Sequence, residues 1–348
     1  MNTLLITGGA GFLGLHVARY FDKKGWKIRV LDIADLDSTE YPKDVEFIQG
    51  DVRDVQIVKK AVGGVDTVVH AAAALPLQKK EEILSTNIDG TRNVLQACVD
   101  QGIKRIVHIS STAVYGVPDH HPVLESDTLI GVGPYGESKI AAEKICAEYR
   151  KKGMIVIVIR PKTFIGTHRL GVFEILFDWI RDGKQIPVIG NGENHYQLLE
   201  VGDLVEAIYL SLVSLDGHKV NTEFNVGAER FGHIKEDLEN MFRKVGSTSH
   251  VMSTPALPVK LALRLFELLK LSPLYQWVYD TADKESYVSI DKIKKALNWK
   301  PKFSNTDALV KSYTWYEKHY KEIKFRGSGT THTVGWKQGI LGVIKKIM

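Results

Sequence analysis

The sequence predicts an α/β protein built on a doubly wound parallel sheet. Short β-branched runs alternate with helical patterns from Leu4 to Arg160, the runs are continuously apolar, and no glycine- or serine-rich linker divides the chain. A run such as Ile155-Val156-Ile157-Val158-Ile159 is buried on both faces, which suits a sheet covered by helices on either side. Strands are expected at Leu4–Thr7, Lys27–Asp32, Val45–Gln49, Thr67–His70, Arg105–Ser110 and Ile155–Arg160. Helices are expected at His16–Lys24, Val55–Val62, Ile83–Gln101 and Pro134–Lys152. Beyond Pro161 the alternation loosens, with helices at Val172–Arg181, Val201–Leu215 and Ile234–Val245 and a short strand at Phe224–Val226.

This pattern implies a core over residues 1–165 that takes back parts of 195–230, a smaller interleaved C-terminal lobe over 166–326, and a tail over 327–348. In the tail Ile340, Ile344 and Ile347 fall on one side while Lys337, Lys345 and Lys346 supply charge. Such a short amphipathic basic helix suits peripheral contact with a membrane through 330–348, or docking on the parent domain or another subunit. Leu257 to Tyr279 is strongly apolar but interrupted by Lys260, Arg264, Glu267 and Lys270, so it does not span a bilayer. Its leucine stripe suits plain core, the wall of an apolar pocket or a membrane surface.

Lys and Arg number 46 against 41 Asp and Glu, and the net charge of +5 is scattered except near the C-terminus. Nucleic-acid binding therefore has no electrostatic footprint. The two cysteines, Cys98 and Cys146, lie inside expected helices without metal-ligand spacing, so no metal is expected and a reducing compartment is. The N-terminus enters a strand at once, without the basic flank and long apolar stretch of a signal peptide, and a cytoplasmic location is expected.

The first strand runs into Thr7-Gly8-Gly9-Ala10-Gly11-Phe12-Leu13-Gly14, which opens a helix. Glycine at 8 permits a tight turn, glycine at 11 lets backbone approach a pyrophosphate, and glycine at 14 lets helix pack on strand. The N–H groups of the helix start, Phe12 and Leu13 included, favour an anion. Asp32 ends the next strand, where a carboxylate can accept from an adenosine ribose and repel a 2′-phosphate. The arrangement is that of a Rossmann-type dinucleotide site, with NAD favoured over NADP. Asp51-Val52 after the third strand would lie beside the adenine, and Ala71-Ala72 after the fourth offer small residues where the dinucleotide passes. His70 is expected to be a hydrogen-bonded structural histidine.

Tyr135 and Lys139 stand four residues apart at a helix start, so they share a face. A tyrosine hydroxyl is a poor base near neutrality, and a lysine ammonium close by stabilises the tyrosinate. Ser111, just past the strand Arg105–Ser110, brings a hydroxyl to the same mouth of the sheet. The ordered set of glycine turn, Asp32, Asp51-Val52, His70-Ala71-Ala72, Ser111, Tyr135-x-x-x-Lys139 and Arg160-Pro161 resembles the NAD-dependent epimerase/dehydratase family of extended short-chain dehydrogenases. Leu297-Asn298-Trp299-Lys300-Pro301 is similar to a C-terminal element of that family.

The resemblance implies that Tyr135 removes a proton from a substrate hydroxyl, Ser111 hydrogen-bonds the same oxygen, and Lys139 holds the nicotinamide ribose and tunes Tyr135. It also implies a homodimer through the helices near Ile83–Gln101 and Pro134–Lys152. Family dehydratases carry an acid pair directly after the position of Ser111; here Thr112 and Ala113 stand there, so 4,6-dehydration is not expected and epimerisation or dehydrogenation remains. Residues that grip a nucleotide diphosphate in sugar-nucleotide members are replaced at Thr163, Tyr196 and Gln197. Thr112, Thr163 and Tyr196 are candidate substrate contacts, and Lys162, His168 and Arg169 are possible sources of compensating charge. The leading expectation is a nucleotide-sugar epimerase-like enzyme. The alternatives are a 3β-hydroxysteroid or sterol-type dehydrogenase, toward which the missing phosphate grips lean, and a non-catalytic NAD-binding regulator.

Overall fold

The computed structural model of the protein describes residues 2–269 and 276–325, together with 339, 341, 342 and 345 of the tail. The chain divides into two compact units. The first comprises Met1–Lys162, Val201–Gly227 and Ser289–Lys300, and the second comprises Thr163–Glu200, Ala228–Val288 and Pro301–Met348.

The first unit contains β1 (Thr3–Thr7), α1 (Phe12–Lys23), β2 (Lys27–Asp32), β3 (Glu46–Gln49), α2 (Val55–Val62), β4 (Thr67–His70), α3 (Lys80–Leu84), α4 (Gly90–Asp100), β5 (Arg105–Ile109), α5 (Gly133–Lys151) and β6 (Ile155–Pro161). Its returning segments supply α7 (Val201–Val213), α8 (Gly217–Val220), β10 (Glu223–Val226) and α12 (Asp291–Leu297). Seven strands form one parallel sheet in the order β10-β6-β5-β4-β1-β2-β3. The order reverses beside β1, so β1 and β4 diverge at the switch point where such sheets bind ligands at their carboxyl ends. Leu5, Val68, Ile106, Val156 and Val158 pack on one face against Val94, Leu95, Cys98 and Ile145 of α4 and α5. The Trp299 indole donates to the Asp203 carbonyl at 3.1 Å, which ties the late segment onto α7.

One expected helix is present but changes its winding partway. Periodicity predicts a single helix over Ile83–Gln101, whereas the chain passes from α3 through a π-helical turn, Ser85–Asp89, into α4. The wider turn carries Asn87, whose side chain accepts from the Ala74 N–H at 2.8 Å and donates to Ser138 Oγ at 2.9 Å. A local polar requirement overrides the helical period there. At the other early helix, α1 begins at Phe12 rather than His16, because Gly11 already serves as its N-cap.

The second unit contains β7 (Phe164–Ile165), α6 (Val172–Arg181), β8 (Ile186–Ile189), β9 (Leu199–Glu200), α9 (Ile234–Val245), β11 (Val251–Thr254), α10 (Ala256–Leu268), α11 (Gln276–Thr281), α13 (Asn305–Lys318) and α14 (Tyr320–Phe325). Two small parallel pairs, β7 with β9 and β8 with β11, replace an extended sheet. Its core is helical, with Phe177, Trp179, Met241, Phe242, Tyr313 and Tyr316 at the centre. Most of the tail lies outside the described residues. Of those described, Leu341 packs against this core and Lys345 pairs with Asp178 at 2.6 Å and Asp182 at 2.7 Å, so this lysine of the basic face is engaged by α6. Among the described residues no helix is long and apolar enough to cross a membrane.

Candidate active site

The first-unit residues proposed above for the cofactor and for catalysis lie at or just beyond the carboxyl end of a sheet strand, or in the first turns of a helix that follows one. At β1 the chain turns through Gly8, whose φ of +68° is open to glycine, and a Cβ there would stand 2.6 Å from the Ala72 nitrogen. Ala71 and Ala72 are thus held against the turn, and the Ala71 N–H donates to the Thr7 carbonyl at 3.0 Å. A Cβ on Gly14 would meet Gly9 Cα at 2.4 Å, so α1 approaches the turn closely only because residue 14 lacks one. Phe12 and Leu13 bury their side chains in the first turn of α1, whose N–H groups point back toward the glycine turn.

Asp32 closes the other side of this cradle. Its Oδ2 accepts from the Ala10 N–H at 2.9 Å and its Oδ1 from the Ala34 N–H at 2.9 Å. Burial pushes this carboxyl up, and the backbone donors Ala34, Ala10 and Ile33 oppose the rise. Tyr41, which the sequence did not single out, donates its hydroxyl to the Gly9 carbonyl. Asp51 is held low by its hydrogen bonds with Arg53, 2.9 Å from Nε and 2.5 Å from Nη2. Val52 is buried against Gly90, where a Cβ would come within 2.6 Å. A glycine-lined turn, a helix start and a carboxylate at the next strand end fit an adenine dinucleotide.

Tyr135, Ser138 and Lys139 begin α5, which a Pro at its first turn helps to start. Tyr135 is half-buried and Lys139 is buried. Lys139 Nζ donates to the Ile109 carbonyl at the end of β5, at 2.9 Å, and lies 5.8 Å from the centroid of the Tyr135 ring. Burial lowers this ammonium to about 8, against the opposing pull of Glu143 and Cys146. Ser111 caps a 3₁₀ turn, Thr112–Tyr115, its Oγ accepting from the Ala113 N–H at 3.1 Å. Ser111 and Thr112 are partly exposed.

Beneath these residues runs a buried chain of hydrogen bonds. His70 Nδ1 lies 2.7 Å from Thr7 Oγ1 and His70 Nε2 lies 3.1 Å from Thr91 Oγ1. Thr91 donates to the Asn87 carbonyl at 2.6 Å, Asn87 reaches Ser138, and Ser138 Oγ donates to the Tyr135 carbonyl at 2.8 Å. Burial, assisted by Lys139, lowers His70 to about 3, so it stays neutral and structural. Asn87 was not singled out by spacing; its placement after the β4 loop and before Gly90 is the only sequence hint.

A second buried set stabilises the same corner. Ser110 Oγ donates to Glu143 at 2.5 Å, Glu143 pairs with Arg160 at 2.5 Å, and Arg160 Nη1 lies 2.8 Å from the Tyr115 hydroxyl. Tyr115 in turn donates to Asn225 Oδ1 at 2.7 Å, and burial pushes its hydroxyl up to about 12. Tyr115 is thus a packing and bonding residue.

In the second unit Thr163 Oγ1 and Tyr196 Oη lie 3.0 Å apart, and burial raises the Tyr196 hydroxyl. Gln197 is buried and spent on structure, donating to the Ala228 carbonyl at 2.7 Å and accepting from the Val288 N–H at 2.9 Å. His168 adopts φ +68° with its ring 4.6 Å from that of Trp315, and the Arg169 guanidinium lies over Phe164 and Phe173 at 5.7 and 5.9 Å. Lys162, the last residue of the first unit, is buried and its ammonium is brought down to about 7 by that burial.

Residues 4–227 match the model of the NAD dependent epimerase/dehydratase family. A UDP-glucose 4-epimerase from Halalkalibacterium halodurans is 28% identical over 347 residues, covering 91% of this chain and 96% of its own. The N-acetyl-alpha-D-glucosaminyl-diphospho-ditrans,octacis-undecaprenol 4-epimerase of Escherichia coli O157:H7 is 32% identical over 263 residues, covering 72% and 75%. Among solved structures, the UDP-glucose 4-epimerase of Thermotoga maritima superposes with a TM-score of 0.76 at 22% identity, covering 91% of this chain and 99% of that one, which shows the shared fold.

Proposed function

Because the chain belongs to the NAD-dependent epimerase/dehydratase family, we propose that it inverts a secondary carbinol of a sugar joined through a diphosphate to its carrier, the carrier being in the first place a nucleotide. The observation that carries this reading is Lys139 Nζ, fixed on the Ile109 carbonyl 5.8 Å from the Tyr135 ring at the strand end that also bears Ser111.

NAD, held by Gly8, Gly11, the start of α1, Asp32 and the Ala71-Ala72 backbone, supplies the reversible redox partner when bound. Tyr135 takes the proton of the sugar hydroxyl as that carbon is oxidised to a ketone, and returns it when the ketone is reduced from its other face. The Lys139 ammonium stabilises the tyrosinate and would hold a ribose hydroxyl of the nicotinamide half of the cofactor. Ser111, whose Oγ accepts from the Ala113 N–H, keeps its own proton to give to the reacting oxygen. Thr112 and Ala113 offer no carboxyl to expel water, so the oxidised sugar has no acid-assisted elimination path on this side. Thr163 and Tyr196, hydrogen-bonded to each other, are proposed to contact the substrate.

The relatives reported carry sugar-diphosphate names, and the 3β-hydroxysteroid reading is set aside on that ground. A regulator without chemistry has no physical need for Ser111, Tyr135 and Lys139 at one mouth. Incubation of the NAD-loaded protein with UDP-glucose and UDP-N-acetylglucosamine, followed by NMR of the products, is expected to show an epimer with no net rise of NADH absorbance. Stoichiometric NADH would make it a dehydrogenase instead, and no conversion of either compound would overturn the nucleotide as carrier.

A further inference from the structure

One carbonyl of the glycine turn is held by a distant side chain. The Gly8 carbonyl accepts from the Gly11 N–H at 3.2 Å and the Gly11 carbonyl from the Leu15 N–H at 3.1 Å. The Gly9 carbonyl accepts instead from the hydroxyl of Tyr41. That carbonyl and the Ala10 N–H are the two ends of one peptide unit, and the Ala10 N–H donates to Asp32 Oδ2 at 2.9 Å. A single peptide is therefore clamped between the residues that bracket the loop after β2. Its first α-carbon belongs to glycine, whose backbone turns easily, so the two side-chain bonds fix its orientation. Turned over, it would aim a carbonyl at the Asp32 carboxylate, one acceptor facing another. The loop itself is tied down. Arg19 of α1 donates from Nε to the Glu40 carbonyl at 2.7 Å and pairs with the Glu40 carboxylate, and Gln49 Nε2 donates to Asp35 at 3.0 Å. Burial and the charge of Asp32 push the Tyr41 hydroxyl up, so it stays protonated and donates.

We infer that Tyr41 is a positioning residue for the cofactor: by holding the Gly9–Ala10 peptide it fixes the Asp32 carboxylate toward the adenosine ribose, and so sets the margin by which NAD is preferred over NADP. A ribose 2′-hydroxyl gains from a carboxylate that is held in place, and a 2′-phosphate is repelled by the same group. Asp32 is oriented by one backbone donor on each oxygen, Ala10 on Oδ2 and Ala34 on Oδ1, both at 2.9 Å. Without the Tyr41 hydroxyl the peptide is released to turn, Oδ2 loses its donor, and the carboxylate is held at one oxygen only. NAD then loses an oriented acceptor, whereas NADP loses a repulsion. The effect passes through Asp32 and needs no contact between Tyr41 and the cofactor. It rests on NAD as the cofactor and on nothing about the sugar.

The test is displacement of NAD from the loaded full chain by NADP, with the released NAD measured after filtration. Tyr41→Phe keeps the ring and removes only the donor, so its unfolding midpoint should stay close to wild type. The NADP concentration that releases half of the NAD is expected to fall about fivefold to tenfold, the worth of one hydrogen bond. In an Asp32→Ala background the same substitution should move that concentration by less than about twofold, because the group through which Tyr41 acts is gone. Should Asp32→Ala not fold, Asp32→Asn serves, and the effect of Tyr41→Phe should again shrink. An unchanged half-release concentration in Tyr41→Phe would make Tyr41 a packing residue of the loop and overturn the inference. Full additivity of the two substitutions would overturn it as well. Neither readout needs turnover, so failure here and failure of the reaction assignment are told apart.

Discussion

Helix α5 carries two charged centres one turn apart on the same face, and they are built in opposite ways. Lys139 rests its ammonium on a neutral acceptor, the Ile109 carbonyl, and burial draws it down to about 8. Four residues on, Glu143 accepts from Ser110 at 2.5 Å and from Arg160 Nε at 2.9 Å and Nη2 at 2.5 Å. Burial would pull the Arg160 guanidinium down, but Glu143 more than offsets it and holds the cation above its ordinary range. The first centre is left able to exchange a proton; the second is fixed by charge on both sides. One helix thereby separates chemistry from support, and substitutions should separate them too.

The largest effect should come from the reactive centre. Tyr135→Phe removes the hydroxyl and keeps the ring, so turnover of the identified sugar should fall by about 10²–10⁴-fold, while NAD affinity and the unfolding midpoint stay close to wild type. A variant with unchanged turnover would remove Tyr135 from the mechanism.

The supporting centre should answer in the other currency. Glu143→Ala leaves Arg160 charged and buried without its carboxylate, and loss of one partner of such a pair costs about 3–5 kcal/mol. Denaturant unfolding should show it as a lowered midpoint. Turnover per folded molecule should change far less than in Tyr135→Phe; an equal loss in both variants would mean that the two centres are one unit.

The same contrast explains what could be read without coordinates. Strands β2 and β4 and helices α2, α6 and α9 fall on the residues that periodicity marks, because each buries a regular apolar face. The glycine turn, Asp32, Tyr135 and Lys139 were visible for a related reason, since each needs a particular residue type at a particular strand end or helix turn. Neither Asn87 with Ser138 nor the separate set of Ser110, Glu143 and Arg160 was assigned, because their meaning lies in pairings across more than one element. The second unit was least legible: β7, β8, β9 and β11 are two to four residues long, too short for a period to declare itself. Leu257–Leu269 shows a further limit. A stripe at helical spacing is the same string whether it faces core or solvent, and only the packing of Leu263 and the exposure of its neighbours decide.

The smallest effect, and the one that probes the comparison most finely, is the pH dependence of Lys139. Its ammonium is lowered by burial to about 8, whereas an unfolded lysine titrates near ~10.4. Below about 8 both states are charged and the folded one bears the full desolvation cost. Between about 8 and ~10.4 the unfolded state binds the extra proton, so stability contributed by this residue rises with pH. Lys139→Met removes the group, so it should be more stable than wild type near pH 7, by at most about 3 kcal/mol, and the gap should close as pH approaches ~10.4. Wild-type turnover should decline above about 8, where the ammonium that stabilises the Tyr135 anion is itself neutralised. A gap that stayed constant across this range would show that Lys139 is hydrated in the folded protein, and the distinction between an adjustable centre and a fixed one on α5 would lose its electrostatic basis.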